Sequence, residues 1–174
     1  MDEAVLRSLV RWPDVPACYG WLSLDRGGRW RLQGEVVRHR GLSEFIGRNY
    51  QHDDEGRWFF QNGPQRVYVT LDYTPWVFGW NAATPQRLIS HTGHTASACA
   101  AFVDEHGALL VDTDIGVGLI ASQDLVALAD QLRLGADLQH GELALGERTV
   151  SVNPIQAADV AARFGFTTNP EPIA

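Results

Sequence analysis

His91, His94 and Cys99, all within the segment HTGHTASAC, are the constellation in this 174-residue chain with metal-ligand chemistry. Imidazole and thiolate suit zinc, and three protein ligands with an open fourth position would suit a metal-dependent hydrolase. The segment is rich in Gly, Thr and Ser, however, and lacks the helical His-Glu-x-x-His arrangement that sets two ligands and a base on one face. Polar loop histidines are the plainer reading, and the hydrolase is the alternative. Asp112 and Asp114 offer carboxylates at i and i+2, but a calcium loop needs a Glu at its twelfth position, where Gln123 stands. Gly116-Val117-Gly118 lacks the third glycine of a dinucleotide loop. There is no Gly-x-Ser-x-Gly, and neither Cys18 nor Cys99 has a basic cluster beside it to lower its pKa.

A second chemistry is carried by arginines interleaved with aromatics: Arg29-Trp30-Arg31, Arg57-Trp58-Phe59 and Arg66-Val67-Tyr68. Guanidinium groups beside rings hold anionic ligands or stack on planar ones. In a strand, Arg on one face and Trp on the other is also ordinary core-versus-solvent alternation. If the polar faces coincide, Arg29, Arg31, Arg57 and Arg66 with Tyr68 form a cationic ligand-binding patch.

The elements that would position these residues are mostly hairpins. Asn62-Gly63 sits between two apolar runs and predicts a tight turn with positive φ at its centre, though Pro64 makes a longer loop equally plausible. Upstream, Trp58 and Phe60 share one strand face; downstream, Val67, Val69 and Leu71 alternate with polar residues. Tyr19 to Leu24 and Arg29 to Val37 predict a second hairpin around Arg26-Gly27-Gly28. Ala100 to Val103 and Ala108 to Val111 predict a third, and Gly141 to Val152 a fourth. Apolar spacing predicts helices over 2–10, 42–50 and 122–132, and Asn153-Pro154-Ile155-Gln156 resembles a capping box opening a helix that runs to Phe164. Residues 79–99 read as irregular, and 167–174 as a loose tail. GRWRLQGEVV before helix 42–50 looks like GELALGERTVSV before helix 156–164, as if one hairpin–helix unit were duplicated. The fold class is α+β: antiparallel hairpins with short helices packed on them.

Composition bounds the reading. An apolar fraction of 45% with 20% charged residues is that of an ordinary folded globular chain. No apolar run reaches the roughly 20 residues that span a bilayer, and the N-terminus has no basic segment followed by an apolar one, so the expected location is cytoplasmic. All six Trp and all four Tyr fall in the first 80 residues. Residues 1–87 carry 11 Arg against 10 acids and residues 88–174 carry 3 against 11. That asymmetry predicts two sub-domains, 1–83 rich in Arg and aromatics and 84–174 acidic. The acidic second half argues against a nucleic-acid partner. The two cysteines form no CxxC motif and read as small buried residues.

The run FIGRNYQHDDEGRWFFQNGPQRVYVTLDYTPWV, flanked by VPACYGWLSLDRGGRWRLQGE, resembles an uncharacterised proteobacterial family, a domain of unknown function. The resemblance implies no activity and supplies no catalytic residue. The order of hairpin, short helix, polar loop and Gly-aromatic strand is similar, more distantly, to a second uncharacterised bacterial family of repeated α+β motifs proposed to act in signalling. Together these point to a non-enzymatic binding or regulatory module for a small anionic ligand or a protein partner. A homodimer built through the aromatic surface is a further expectation, and the cofactor is unknown.

Overall fold

The alternation between Trp58 and Leu71 becomes the centre of a six-stranded sheet. The computed structural model describes residues 1–172. The first of its two compact units comprises Met1–Asp25, Arg29–Tyr73 and 165–172. After helix α1 (Glu3–Arg11) come β1 (Cys18–Leu24), β2 (Trp30–Leu32) and β3 (Glu35–Val36), then α2 (Arg40–Arg48), β4 (Tyr50–His52), β5 (Trp58–Asn62) and β6 (Gln65–Leu71). The spatial order is β3-β2-β1-β6-β5-β4. All neighbours are antiparallel except the central pair β1 and β6, which run parallel with Leu22 beside Val69 and Leu24 beside Leu71. The period-2 pattern puts Leu22, Leu24, Trp30, Phe60, Val69 and Leu71 on the face that α2 covers, where Ile46 is buried and Phe45 meets Phe60 edge-on at 5.4 Å. Asn62 pairs with Gln65, so the β5–β6 loop is Gly63-Pro64 rather than Asn62-Gly63, with Gly63 supplying the positive φ of 56°.

The second unit comprises Arg26–Gly28 and Thr74–Phe164. It holds β7 (Trp76–Trp80), β8 (Leu88–Ser90), β9 (Thr95–Ala96), β10 (Ala98–Asp104), β11 (Leu109–Thr113) and β12 (Gly116–Ile120). There follow α3 (Ser122–Ala129), β13 (Leu132–Leu134), β14 (Gly141–Leu145), β15 (Arg148–Ile155) and, after one 3₁₀ turn, α4 (Val160–Phe164). Its nine-stranded sheet runs β13-β14-β15-β10-β11-β12-β7-β8-β9, with β10–β15 and β12–β7 parallel.

Both sheets are therefore mixed, and the α+β fold is more than hairpins alone. The segment expected to be irregular contains β8 and β9. The expected boundary near residue 83 lies ten residues beyond the division between Tyr73 and Thr74, because β7 pairs with β12 and β8. Asn153 caps nothing: β15 continues through Pro154 to Ile155, and the following turn is capped from outside by Glu105, whose carboxylate accepts from the Ala157 N–H at 2.8 Å. The tail is not loose over its described part. Phe166 is buried, Thr167 donates to the Gly56 carbonyl at 3.0 Å, and Leu71 donates to Thr168 at 2.8 Å; residues 173–174 lie outside the described residues.

The duplication is present in another register. Strands β10–β15 with α3 repeat β1–β6 with α2 in the same order, β12-β11-β10-β15-β14-β13, around the same parallel central pair. The ladders match residue for residue. Leu24 faces Trp30 and Leu71 in the first unit, while Val103 faces Leu109 and Pro154 in the second. Phe60 lies between Tyr50 and Val67, as Leu143 lies between Leu132 and Val150. The counterpart of α2 is thus α3, not the helix ending at Phe164.

Candidate ligand-binding site

The hairpin ends of the first unit decide what its arginines do. Asp25 donates its N–H to the Arg29 carbonyl and accepts the Arg29 N–H on Oδ1 at 3.0 Å, with Gly28 at φ 78° closing the turn. Asp53 does the same with Arg57 (Oδ1 at 3.0 Å, Gly56 at φ 70°), and Asp104 with Ala108 (2.8 Å, Gly107 at φ 78°). The shared pattern Asp-x-x-Gly-x is one turn used three times. In the first two, the residue after the glycine is arginine, and it folds back so that Nε donates to the second carboxylate oxygen, at 2.9 Å in each case.

Four of the five residues expected to form a cationic patch are thereby accounted for, in two separate clusters. Arg29 and Arg31 both pair with the buried Asp25, at 2.9 and 3.1 Å. Arg57 pairs with Asp53 at 2.8 Å and lies 5.0 Å from the Tyr68 ring centroid, while the Tyr68 hydroxyl donates to the same carboxylate at 3.0 Å. Tyr19 stacks on Tyr68 at 4.6 Å, and Phe59 meets it edge-on. Burial works to raise the Asp53 pKa, but the hydrogen bonds from Arg57 and Tyr68 outweigh it and hold the carboxyl below its ordinary value. The same burial, aided by that bond, pushes the Tyr68 phenol up. Arg66 lies over the Phe59 ring at 4.7 Å. The structure brings Arg57, Arg66 and Tyr68 together and leaves Arg31 on β2, with Arg29 just before it, two strands beyond β6. The carboxylates that neutralise them were missed from sequence; the signal was the Asp four residues before Arg29 and Arg57.

The histidine loop is the β8–β9 turn. His91 Nδ1 accepts the Val77 N–H at 3.3 Å, and its backbone N–H donates to the Val77 carbonyl at 2.8 Å. Although the residue keeps some surface, its ring is enclosed; that burial, with His94 nearby, drives its pKa down to about 3 against a weaker opposing contribution from the Val77 backbone. His94 Nδ1 bonds to Thr92 Oγ1 at 2.7 Å, and both rings sit near Trp76. Cys99 stands exposed on β10, its Sγ 3.9 Å from the Ser97 carbonyl. Among the described residues no three His, Cys, Asp or Glu side chains come together as a metal site, so His91, His94 and Cys99 are not assembled as the hydrolase alternative requires.

What the first unit does present is an apolar pocket of about 260 Å³ between α2 and the sheet. Leu42, Phe45 and Ile46 form its helical wall, and Leu22, Phe60 and Val67 its floor. Trp21, 52% exposed, stands at its edge with Leu32, and the amides of Asn62 and Gln65 supply polar groups. Gly20, at φ 71°, lies where the β1–β6 register shifts, a bulge that re-aims the chain just before Trp21. A wider depression of about 710 Å³ lies in the second unit between Pro85-Gln86 and the turn Gly146-Glu147-Arg148. Its cation, Arg148, is occupied by the Ala98 carbonyl at 3.0 Å.

The family model DUF2944, described as "Protein of unknown function (DUF2946)", matches residues 1–171. The chain belongs to this family. The match spans both units, in keeping with the expected membership of an uncharacterised proteobacterial family. No curated protein matches. Among solved structures, a DUF1285 family protein from Silicibacter pomeroyi DSS-3 is similar with a TM-score of 0.51 at 16% identity, over 74% of this chain and 78% of that one. A DUF1285 family protein from Shewanella baltica OS155 gives 0.45 at 12% identity, over 68% and 96%. At 16% identity the first likeness is one of fold. No helix among the described residues is long and apolar enough to cross a membrane.

Proposed function

We propose that this member of the family is a non-enzymatic binding or regulatory module whose ligand contacts the apolar pocket under α2. The observation that carries the reading is Trp21: a large ring half in solvent, at the rim of a concave apolar surface that also offers two amides. Pockets of this make-up, apolar with a few polar groups, are the usual form of small-ligand sites, and this one lies just below their range of about 300–1,000 Å³. The arginines favour a ligand with an apolar body over a purely anionic one. An anion at Arg29, Arg31 or Arg57 would have to compete with Asp25 or Asp53, and each of those carboxylates is already held by its own turn. Two free thiols fit a reducing compartment such as the cytoplasm.

The test is a thermal-shift panel of apolar, amphipathic and phosphorylated small molecules on the full chain, with each hit repeated on Trp21→Ala. A ligand of this site raises Tm in proportion to its occupancy, and loses about tenfold or more in affinity on Trp21→Ala, the loss of a contacting ring being worth at least ~1.4 kcal/mol. Hits only among phosphorylated compounds, indifferent to Trp21, would overturn the reading and return attention to Arg66.

A further inference from the structure

The second unit has a cavity of its own, of about 310 Å³, beneath α3. Its walls are aliphatic: Leu125 and Leu128 from the helix, Val103 and Leu109 from the β10–β11 hairpin, Leu132 and Leu134 from β13. Among its described lining residues none is polar or charged.

The internal repeat shows what fills this place in the other unit. By ladder register Leu109 stands where the first unit has Trp30, Leu132 where it has Tyr50, and Leu134 where it has His52. Gly141 stands where it has Trp58. The helix corresponds as well, since the Asn49 N–H donates to Ile46 and the Gln131 N–H to Leu128 at the two helix ends. In the first unit those rings interlock: Trp30 meets Tyr50 at 5.0 Å, Tyr50 meets Trp58 at 4.7 Å, and His52 meets Trp58 at 4.9 Å. In the second, three leucines and a glycine occupy the same frame. Gly141 cannot take back a side chain, because a Cβ there would run into the Arg133 carbonyl. Protein interiors are otherwise close-packed, and an engineered apolar cavity of about 150 Å³ stays dry and takes up benzene.

The mouth carries a further sign. Leu138, in the β13–β14 loop, is 69% exposed and sits at φ 57°, a conformation that leucine rarely adopts. Asp137 fixes the loop by accepting from the N–H groups of Gln139 and His140 and from the His140 ring. An apolar side chain is thus held in solvent at the edge of an apolar opening.

We propose that this cavity binds a small uncharged molecule of one or two aromatic rings, in the place that Trp30, Tyr50 and Trp58 fill in the first unit. It is too small for a helix or a protein segment, and its aliphatic lining offers a charged ligand no counter-ion. The site is distinct from the pocket under α2 and stands independently of it. Indole is the probe. Titration into the full chain, followed by leucine-methyl NMR, should give saturable shifts at Leu109, Leu128 and Leu132, with a saturable rise in Tm. Leu109→Trp, which installs the first unit's residue, should raise the Tm of the free protein and weaken indole binding by about tenfold or more. Leu132→Tyr, at a half-buried position, makes the same test should the tryptophan variant fail to fold. Absence of saturable shifts at those methyls, or undiminished binding by a folded filled variant, overturns the proposal.

Discussion

Asp53 shows how a single carboxylate assigns the roles of its neighbours. It closes its own turn through Oδ1, and with Oδ2 takes both the Arg57 guanidinium and the Tyr68 hydroxyl. Only 14% of Arg57 and 12% of Asp53 side-chain surface remains exposed, so removing either partner would leave the other charge poorly solvated and uncompensated, the situation that costs several kcal/mol. These arginines belong to the architecture. His91 is the residue whose chemistry should be seen from outside. Its folded pKa of about 3 lies below the ordinary value of 6.5, so the unfolded chain takes up a proton first. The sign follows: His91 favours folding fully above pH 6.5, and that contribution is lost as pH falls toward 3. Between pH 6.5 and 5 the loss should be about 2 kcal/mol. Denaturant titrations at both pH values should show it in the natural protein. His91→Asn, which keeps an acceptor for the Val77 N–H, should remove most of that slope; an unchanged slope would place the titrating group elsewhere.

Among the elements, the three Asp-x-x-Gly turns look alike in sequence but differ in what surrounds their glycines. Gly56 and Gly107 both have positive φ, which an L side chain tolerates at a cost of about 1–2 kcal/mol. A Cβ at Gly107 meets open space, whereas one at Gly56 would run into the Gly165 carbonyl. Gly107→Ala should therefore cost about 1 kcal/mol, and Gly56→Ala distinctly more, by urea denaturation of each. Equal costs would mean that the tail moves aside freely. Helices α2 and α3 were visible from apolar spacing because each turns a face to its sheet, where Ile46 and Leu128 are buried, although α3 stops at Ala129 because Leu132 opens β13. The end of β15 was misread because Asn-Pro before a Gln imitates a cap, when the strand's pairing with β10 holds Pro154 extended beside Val103.

At the scale of the whole molecule, the first unit is closed by the last described residues of the chain, which return to it after the entire second unit. Burying Phe166 contributes about 2 kcal/mol, and two backbone hydrogen bonds tie 167 and 168 to Gly56 and Leu71. Truncation after Phe164 should lower Tm and expose the Leu71 amide to hydrogen exchange, while the amides of the β10–β15 pair stay protected. Loss of protection in both places alike would show that the units unfold as one. The internal repeat adds a contrast: one frame, packed with rings in the first unit and open in the second. Trp30, Tyr50 and Trp58 of that frame have no aromatic counterpart in the second unit, where Leu109, Leu132 and Gly141 stand.

The sequence by itself determined the strands of the central hairpin, the helical faces and the family, since alternation, spacing and motif are local properties of the chain. It also held the repeated Asp-x-x-Gly turns, which became readable once three hairpin ends could be compared. Only the tertiary structure decided that β1 pairs with β6 and β10 with β15, in parallel and across some fifty residues. It likewise decided that Arg29, Arg31 and Arg57 are counter-ions, that His91, His94 and Cys99 do not meet as ligands, and that one repeat opens an aliphatic pocket where the other packs rings. Alternation records that a residue faces a core. Which distant strand supplies the neighbour, and which carboxylate reaches a guanidinium first, depends on pairings that no local pattern encodes.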